Sequence, residues 1–430
     1  MKKNFKLLTL LGIRPDIVRM HKLLALLDRG QAQYGYHHIY AHSGQHFDYQ
    51  LDGVFHRQLN VRSPKPNLRT GRTLKRTGET SHVHQSALLF QKTAQMLERL
   101  RPDAVLYLGD TNTVLSAIIV AKYNIPVIHI EGGGRSFDWR MPEEKNRIIV
   151  DHMSDLIYCY LDRYKQILVS EGIPEFRIVT VGNIIVDAIS SFLNTADKSQ
   201  VIDRLGLTQK EYVLCTLHRE ENIDDREVLI DKLKGLRQLS QTLPVVLPMM
   251  PRLKARIRKN RFEWILEDSK VKITEPLGFI DFLKLEKEAR IIVTDSGTVQ
   301  EEALILGVPC LVTRRSTERP ETIAAGATVL ADGDLCANAH RALRMASQWD
   351  RTILNPNGGS PSERIYQDLV SRVRSGYFAE SRHLKMLHGS RFVREAYGLE
   401  WCNVKFSLNN GSDSRSEIML GALNANLAAR

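Results

Sequence analysis

The sequence predicts an α/β protein of two doubly wound, Rossmann-like domains with a deep cleft between them. Three observations predict it. Short apolar, strand-like segments alternate with helical periodicity, they fall into two sets of six, and small or polar clusters follow directly after many of them. The first set is expected at residues 6–11, 38–42, 104–108, 127–130, 156–160 and 178–181. The second is expected at 213–217, 245–247, 271–273, 291–293, 310–312 and 328–330. Strand–helix alternation implies parallel sheets with right-handed crossovers. The character of the chain changes after Asp187, and a polar stretch at 194–200 places a boundary near 188–205. The expected domains are therefore 1–190 and 200–360. A helix over 361–375, within a segment 361–380, is expected to return to the first domain. Residues 381–430 form a polar, then small-residue extension of no assigned role.

Composition excludes several classes. The chain has 430 residues, 43% apolar and 25% charged, which is ordinary for a globular protein of two or more domains. It has no apolar run of membrane-spanning length, and the short run at 7–11 continues into Gly12-Ile13-Arg14-Pro15, which reads as a buried first strand rather than a signal peptide. Five scattered cysteines without a CxxC pair argue against zinc and against a disulfide framework, and fit a cytoplasmic setting. His82 and His84 have no partner spacing that makes a metal site. Net charge is +11, part of it within 65–75. No aromatic-interleaved basic stripe accompanies it, so an anionic small substrate is favoured over nucleic acid. Neither GxGxxG nor GxxxxGK[ST] occurs, which argues against bound NAD and a P-loop; no cofactor is expected.

In parallel sheets, ligands bind beyond the carboxyl ends of strands. Those ends carry Gly12-Ile13-Arg14-Pro15-Asp16, Ser43-Gly44-Gln45-His46, Gly109-Asp110-Thr111-Asn112, Glu131-Gly132-Gly133-Gly134-Arg135 and His218-Arg219-Glu220-Glu221-Asn222. Alone, Asp110 reads as a helix N-cap. Glu131 leaves a buried strand, where a carboxylate is costly unless paired or working. His218 either caps a helix start or serves beside a phosphate as acid or base. Arg14 and Arg19 lie near a helix N-terminus, where cations oppose the macrodipole, so they suggest an anion to be bound. Pro142-Glu143-Glu144-Lys145-Asn146-Arg147 opens a helix with first-turn acids.

The sharpest signal is Asp295-Ser296-Gly297-Thr298-Val299-Gln300-Glu301-Glu302, followed by Thr317-Glu318-Arg319-Pro320-Glu321. Ser296 and Gly297 present backbone N–H groups at a helix start, a ready anion site. Glu302 can accept ribose hydroxyls, and Arg319 can pair with a phosphate. Together they read as a nucleoside diphosphate site without a Walker lysine.

Taken together, these eight motifs resemble the non-hydrolysing UDP-N-acetylglucosamine 2-epimerases, over about residues 5–375. The resemblance implies a GT-B-type fold, a homodimer, and inversion at C2 of a UDP-sugar. His218-Arg219-Glu220-Glu221-Asn222, Ile149-Val150-Asp151-His152 and Pro276-Leu277-Gly278-Phe279 are similar to a branch making capsule and O-antigen precursors, whose substrates are 6-deoxy or diacetamido sugars. By resemblance, UDP leaves from C1 while a base removes the C2 proton, giving a glycal, and UDP adds back after the proton returns on the other face. Asp110, Glu131 and Glu143 then take the carboxylate roles, and His218 stands by the diphosphate. Arg14, Arg19, Ser296, Gly297, Glu302 and Arg319 hold UDP, and Arg147 orients the carboxylates.

The chain departs from the family pattern at several points. Ile13, Asp16 and Arg19 stand where threonine, glutamate and lysine are usual, and Gly132 where alanine or serine is. Met249-Met250-Pro251-Arg252 lacks a histidine that in some members helps bind a second, activating UDP-sugar. The alternatives carried beside the epimerase are a hydrolysing relative, a GT-B glycosyltransferase and a basic nucleic-acid binder.

Overall fold

The computed structural model describes residues 4–44, 59, 61–77, 81–345 and 349–378. Gln45, His46 and the extension 381–430 lie outside them. Residues 1–375 form one compact unit and 376–430 a second; both sheets lie in the first.

Each of the expected strands is present to within a residue or two. The first sheet holds β1 (Phe5–Leu11), β2 (Tyr36–His42), β3 (Ala104–Leu108), β4 (Val127–Gly132), β5 (Leu156–Cys159) and β6 (Ile178–Thr180). Its order is β2-β1-β3-β4-β5-β6, all parallel. The second holds β7 (Val213–Thr216), β8 (Val245–Pro248), β9 (Val271–Thr274), β10 (Ile291–Thr294), β11 (Cys310–Val312) and β12 (Thr328–Leu330). Its order is β12-β11-β10-β7-β8-β9, again parallel. Inner strands such as β3, β7 and β10 read as mostly apolar, fully buried runs because both faces of a parallel sheet are covered, whereas the edge strand β9 keeps Lys272 and Ile273 exposed. Along β7, Val213 and Cys215 enter one core and Leu214 enters another on the opposite face.

Strand order reverses between β1 and β3 in the first sheet, and between β7 and β10 in the second. These switch points open a crevice at the carboxyl ends. The clusters at Gly12, Gly109, His218 and Asp295 all start there.

The expected break at 188–205 is not a loop. Helix Ile185–Asp197 runs through it, and the short helix Val201–Arg204 follows. The polar residues at its end are a solvated last turn. Helix Pro361–Ser375 lies against helix Arg14–Tyr34 of the first half, with the ring of Tyr366 edge-on to Tyr34 and Lys22 paired to Glu363 at 2.9 Å. The two connections between the halves touch: Asn183 donates its backbone N–H to the Leu354 carbonyl at 2.8 Å, and Ser362 donates to Asp187 at 2.7 Å. Among the described residues no helix is long and apolar enough to cross a membrane.

Helices Phe279–Glu288 and Gly297–Leu306 bring two buried acids together, Glu286 and Glu302. Burial pushes Glu302 up to about 7, although the hydrogen bond from Glu286 and the charge of Arg19 oppose it. Burial and Glu302 hold Glu286 well above the usual range. A carboxyl whose pKa is higher folded than unfolded binds more protons folded, so stability falls as pH rises from the ordinary carboxylate value to the folded one. Glu286→Gln removes one acid of the pair. The variant's urea midpoint is expected to gain on wild type as pH is raised from 5 to 8. A constant difference across that range would rule the pair out as the cause.

Candidate active site

Glu131 is the centre of the site. It lies in β4 at a register shift between Ile130 and Gly132, and its φ is +78°. A non-glycine residue there costs about 1–3 kcal/mol and persists only where the surroundings impose it. They do: one carboxylate oxygen accepts from Arg19, the other from Arg319, and all three side chains are buried. Burial raises the Glu131 carboxyl, but the charges of Arg19 and Arg319 overcome this and leave it below its usual range. Gly132 is explained by space, since a Cβ there would stand 2.2 Å from Ile157 Cγ2 and 2.7 Å from Asp151 Oδ1. An alanine or serine does not fit without movement.

Asp110 ends β3 beyond Gly109. Its carboxylate accepts from Arg147, which also reaches Glu144 at 3.0 Å. Its backbone carbonyl accepts from Asn146 at 2.9 Å. Asn146 and Arg147 both sit on helix Pro142–Met153, so one helix grips Asp110 at main chain and side chain. Glu144 turns away, accepting from Ser136 and Phe137 at 3.0 Å. Glu143 stays 38% exposed and faces Arg219 at 3.9 Å. Asp16 binds the N–H groups of Gly12 and Ile13 at 3.2 Å and pairs with Arg19 at 2.9 Å. It thus caps the first helix, and burial lifts it to about 6. Arg14 is the first residue of that helix.

On the facing wall, Ser296 caps its helix through Val299 N–H at 3.4 Å, which leaves the Gly297 and Thr298 N–H groups at the helix start with no intrahelical acceptor. His218 is 45% exposed and contacts Asp295 Oδ1 through Nδ1 at 2.9 Å. Asp295 is a hub that sequence reasoning left without a role. It also accepts from the backbone of His218 and Arg219 and from Asn222, each at about 3.0 Å. These donors and His218 hold it below the usual carboxylate range despite complete burial. Its position at the end of β10 matches that of Asp110 at the end of β3, which is the signal that marks it.

The sequence-predicted residues therefore gather from both halves. Three sit differently from expectation. The guanidiniums of Arg19 and Arg319 are taken up by protein carboxylates, Arg319 by Glu301 as well as Glu131. Glu302 is buried against Glu286 rather than presented openly. The reason is shared: each is drawn to charged or acidic neighbours that lie far away in sequence. Glu318 and Glu301 were also missed. Glu318 pairs with Arg314 at 2.9 Å and lies 3.7 Å from Arg219. Glu301 accepts from Asn183 at 2.7 Å across the two halves. Among the described residues no three His, Cys, Asp or Glu side chains are arranged to hold a metal ion.

Comparison with known proteins shows similarity over most of the chain. A family profile described as UDP-N-acetylglucosamine 2-epimerase matches residues 29–368. The UDP-N-acetylglucosamine 2-epimerase of Methanocaldococcus jannaschii is 37% identical over 373 residues, covering 85% of this chain and 99% of that one. The UDP-2,3-diacetamido-2,3-dideoxy-D-glucuronate 2-epimerase of Pseudomonas aeruginosa is 32% identical over 373 residues, with the same coverage. The crystal structure of the M. jannaschii enzyme in complex with UDP-GlcNAc and UDP superposes with a TM-score of 0.77 at 36% identity, covering 85% of this chain and all of that one. With its twin parallel sheets meeting at their switch points, the chain belongs to the UDP-N-acetylglucosamine 2-epimerase family and is an epimerase of GT-B-like fold.

Proposed function

We propose that this chain inverts C2 of a UDP-N-acetylhexosamine by the non-hydrolysing route, eliminating UDP to a glycal and adding it back. The observation that supports this most is the pairing of Glu131 with Arg319. It places the carboxylates of the first half against the nucleotide-type motif of the second. A C2 proton with no adjacent carbonyl is barely acidic, so departure of the C1 oxygen must drive its loss. In the forward step the C2–H and C1–O bonds break, C1=C2 forms, a carboxylate takes the proton and UDP leaves with the electron pair. Addition reverses these changes, with the proton returning to C2 from the other face and the C1–O bond re-forming on the face from which UDP left.

The residues suit these demands. Positive charge developing at C1 is stabilised by a carboxylate held ionised, which is the state Arg19 and Arg319 impose on Glu131. Asp110 and Glu143 stand as the proton-transfer groups, with Arg147 aiming Asp110. Arg14 and the Ser296–Gly297 helix start receive the diphosphate. His218, oriented by Asp295, supports the leaving phosphate. Glu302 receives the ribose hydroxyls. Arg19 and Arg319 act mainly through the charge state of Glu131.

In deuterium oxide, the enzyme is expected to place deuterium at C2 of its UDP-HexNAc while the total UDP-sugar stays constant, as read by NMR and mass spectrometry. Free sugar and UDP accumulating instead would establish the hydrolysing reaction. A panel of UDP-GlcNAc, a 6-deoxy and a 2,3-diacetamido analogue identifies the sugar, and no exchange with any of them would overturn the mechanism.

Asp110→Asn and Glu131→Gln are each expected to lower kcat by about 10²–10⁴-fold, the range of a lost proton-transfer or charge-stabilising group. Unchanged rates would remove those residues from the chemistry.

A further inference from the structure

His129 lies on β4, fully buried, two residues before Glu131. Its Nε2 is 2.8 Å from the Gly109 carbonyl, on the residue before Asp110. Its Nδ1 is 2.7 Å from Asp151 Oδ1. The other Asp151 oxygen accepts the Gly133 N–H at 3.1 Å and Arg135 at 2.8 Å. Arg135 in turn reaches Glu171 at 2.7 Å. Asp151 sits on the same helix as Asn146 and Arg147, which hold the Asp110 carbonyl and carboxylate.

A carbonyl has no proton to give, and neither does an ionised carboxylate. Burial would raise Asp151, but the hydrogen bond and charge of His129, with Arg135, bring it below its usual range. Both ring nitrogens thus stand within hydrogen-bond distance of an acceptor oxygen. One bond ends on the turn carrying Asp110; the other runs through Asp151 to the turn carrying Glu131. Both turns pass through positive φ, Gly109 at +70°, Glu131 at +78° and Gly133 at +81°. Main-chain pairing joins them at one further point, Gly109 N–H to the Ile130 carbonyl at 3.0 Å.

We infer that His129 is a positioning residue for the proton transfers, a cross-brace that sets the placement of Asp110 relative to Glu131 without touching the sugar. The inference rests on the epimerase reading above. Displacement of a reacting group by about 1 Å can cost about 10²-fold in rate, so loss of the brace acts on kcat. Of the proposed UDP contacts, those at Ser296, Gly297, His218 and Glu302 lie on the opposite wall and Arg14 is not bonded to His129, so KM is spared.

Two substitutions separate the two bonds. In His129→Asn the side-chain amide stands near the Nδ1 position, keeping Asp151 and losing Gly109. In His129→Gln the amide nitrogen stands near Nε2, keeping Gly109. Epimerisation is assayed with active sites counted by UDP titration calorimetry. His129→Asn is expected to lose about 100-fold in kcat with KM within about twofold, the effect of misplacement rather than of lost binding. His129→Gln is expected to retain at least about tenfold more kcat than His129→Asn. Equal kcat in the two variants, a loss carried by KM, or wild-type kcat per UDP-binding site in His129→Asn would each overturn the brace. A merely structural role lowers the melting temperature and the number of active sites, not the rate at each. If His129→Asn does not fold, Asp151→Asn tests the brace from its other end, because an amide cannot accept from both His129 and Gly133 as the two carboxylate oxygens do. A fall in kcat at unchanged KM supports the brace, and unchanged kcat overturns it. Wild-type C2 deuterium exchange is the control: if that fails, the epimerase reading fails with it, and if it succeeds the variants judge His129 alone.

Discussion

A buried carboxylate shared by two buried guanidiniums is the constraint on which the rest of this structure depends. Glu131 could not be ionised inside the protein alone, and neither arginine could be buried alone. Arg19 comes from the first helix and Arg319 from the loop after β11, so the cluster forms only when both halves meet. Removing Glu131 takes away the counter-charge that two buried guanidiniums share, which costs more than the cluster contributes when complete. The cluster therefore specifies one closed arrangement better than it stabilises it. That arrangement also keeps Glu131 in its left-handed backbone conformation.

The twelve strands were legible because parallel sheets covered on both faces demand continuous apolar runs, and the chain supplies them at regular intervals. The location of the site was legible too, since the polar clusters begin where the strand order reverses. Its internal pairing was not. Arg19 near the first helix start implied an anion, and it meets the chain's own Asp16 and Glu131. Arg319 implied a phosphate, and it meets Glu131, which is 188 residues away. Sequence shows that such a charge needs a partner; only the fold says which one. Likewise His129 looked like one polar residue inside a strand, and its two acceptors come from separate elements.

The acids of the cleft divide into two groups. Glu131, Asp295 and Glu318 are held ionised, Glu318 well below its usual range by Arg314, Arg219 and Arg319 in spite of burial. Glu286, Glu301 and Glu302 are pushed toward the protonated form, chiefly by burial. The difference lies in the neighbours. The first group has arginines, a histidine or several N–H donors at hand, whereas Glu286 has only another acid. One interior thus lowers some carboxyls near the strand ends and raises others along the Phe279 and Gly297 helices.

The two connections between the halves run side by side, joined by Asn183 to Leu354 and by Ser362 to Asp187. A single linker would let the halves twist and swing about many directions. Two tethers in contact act like paired pins and leave one easy axis, along the line of the crossing. The first tether is also wired to the ion cluster, since Asn183 donates to Glu301, Glu301 pairs with Arg319, and Arg319 pairs with Glu131, so a rotation at the tethers is felt directly at the site.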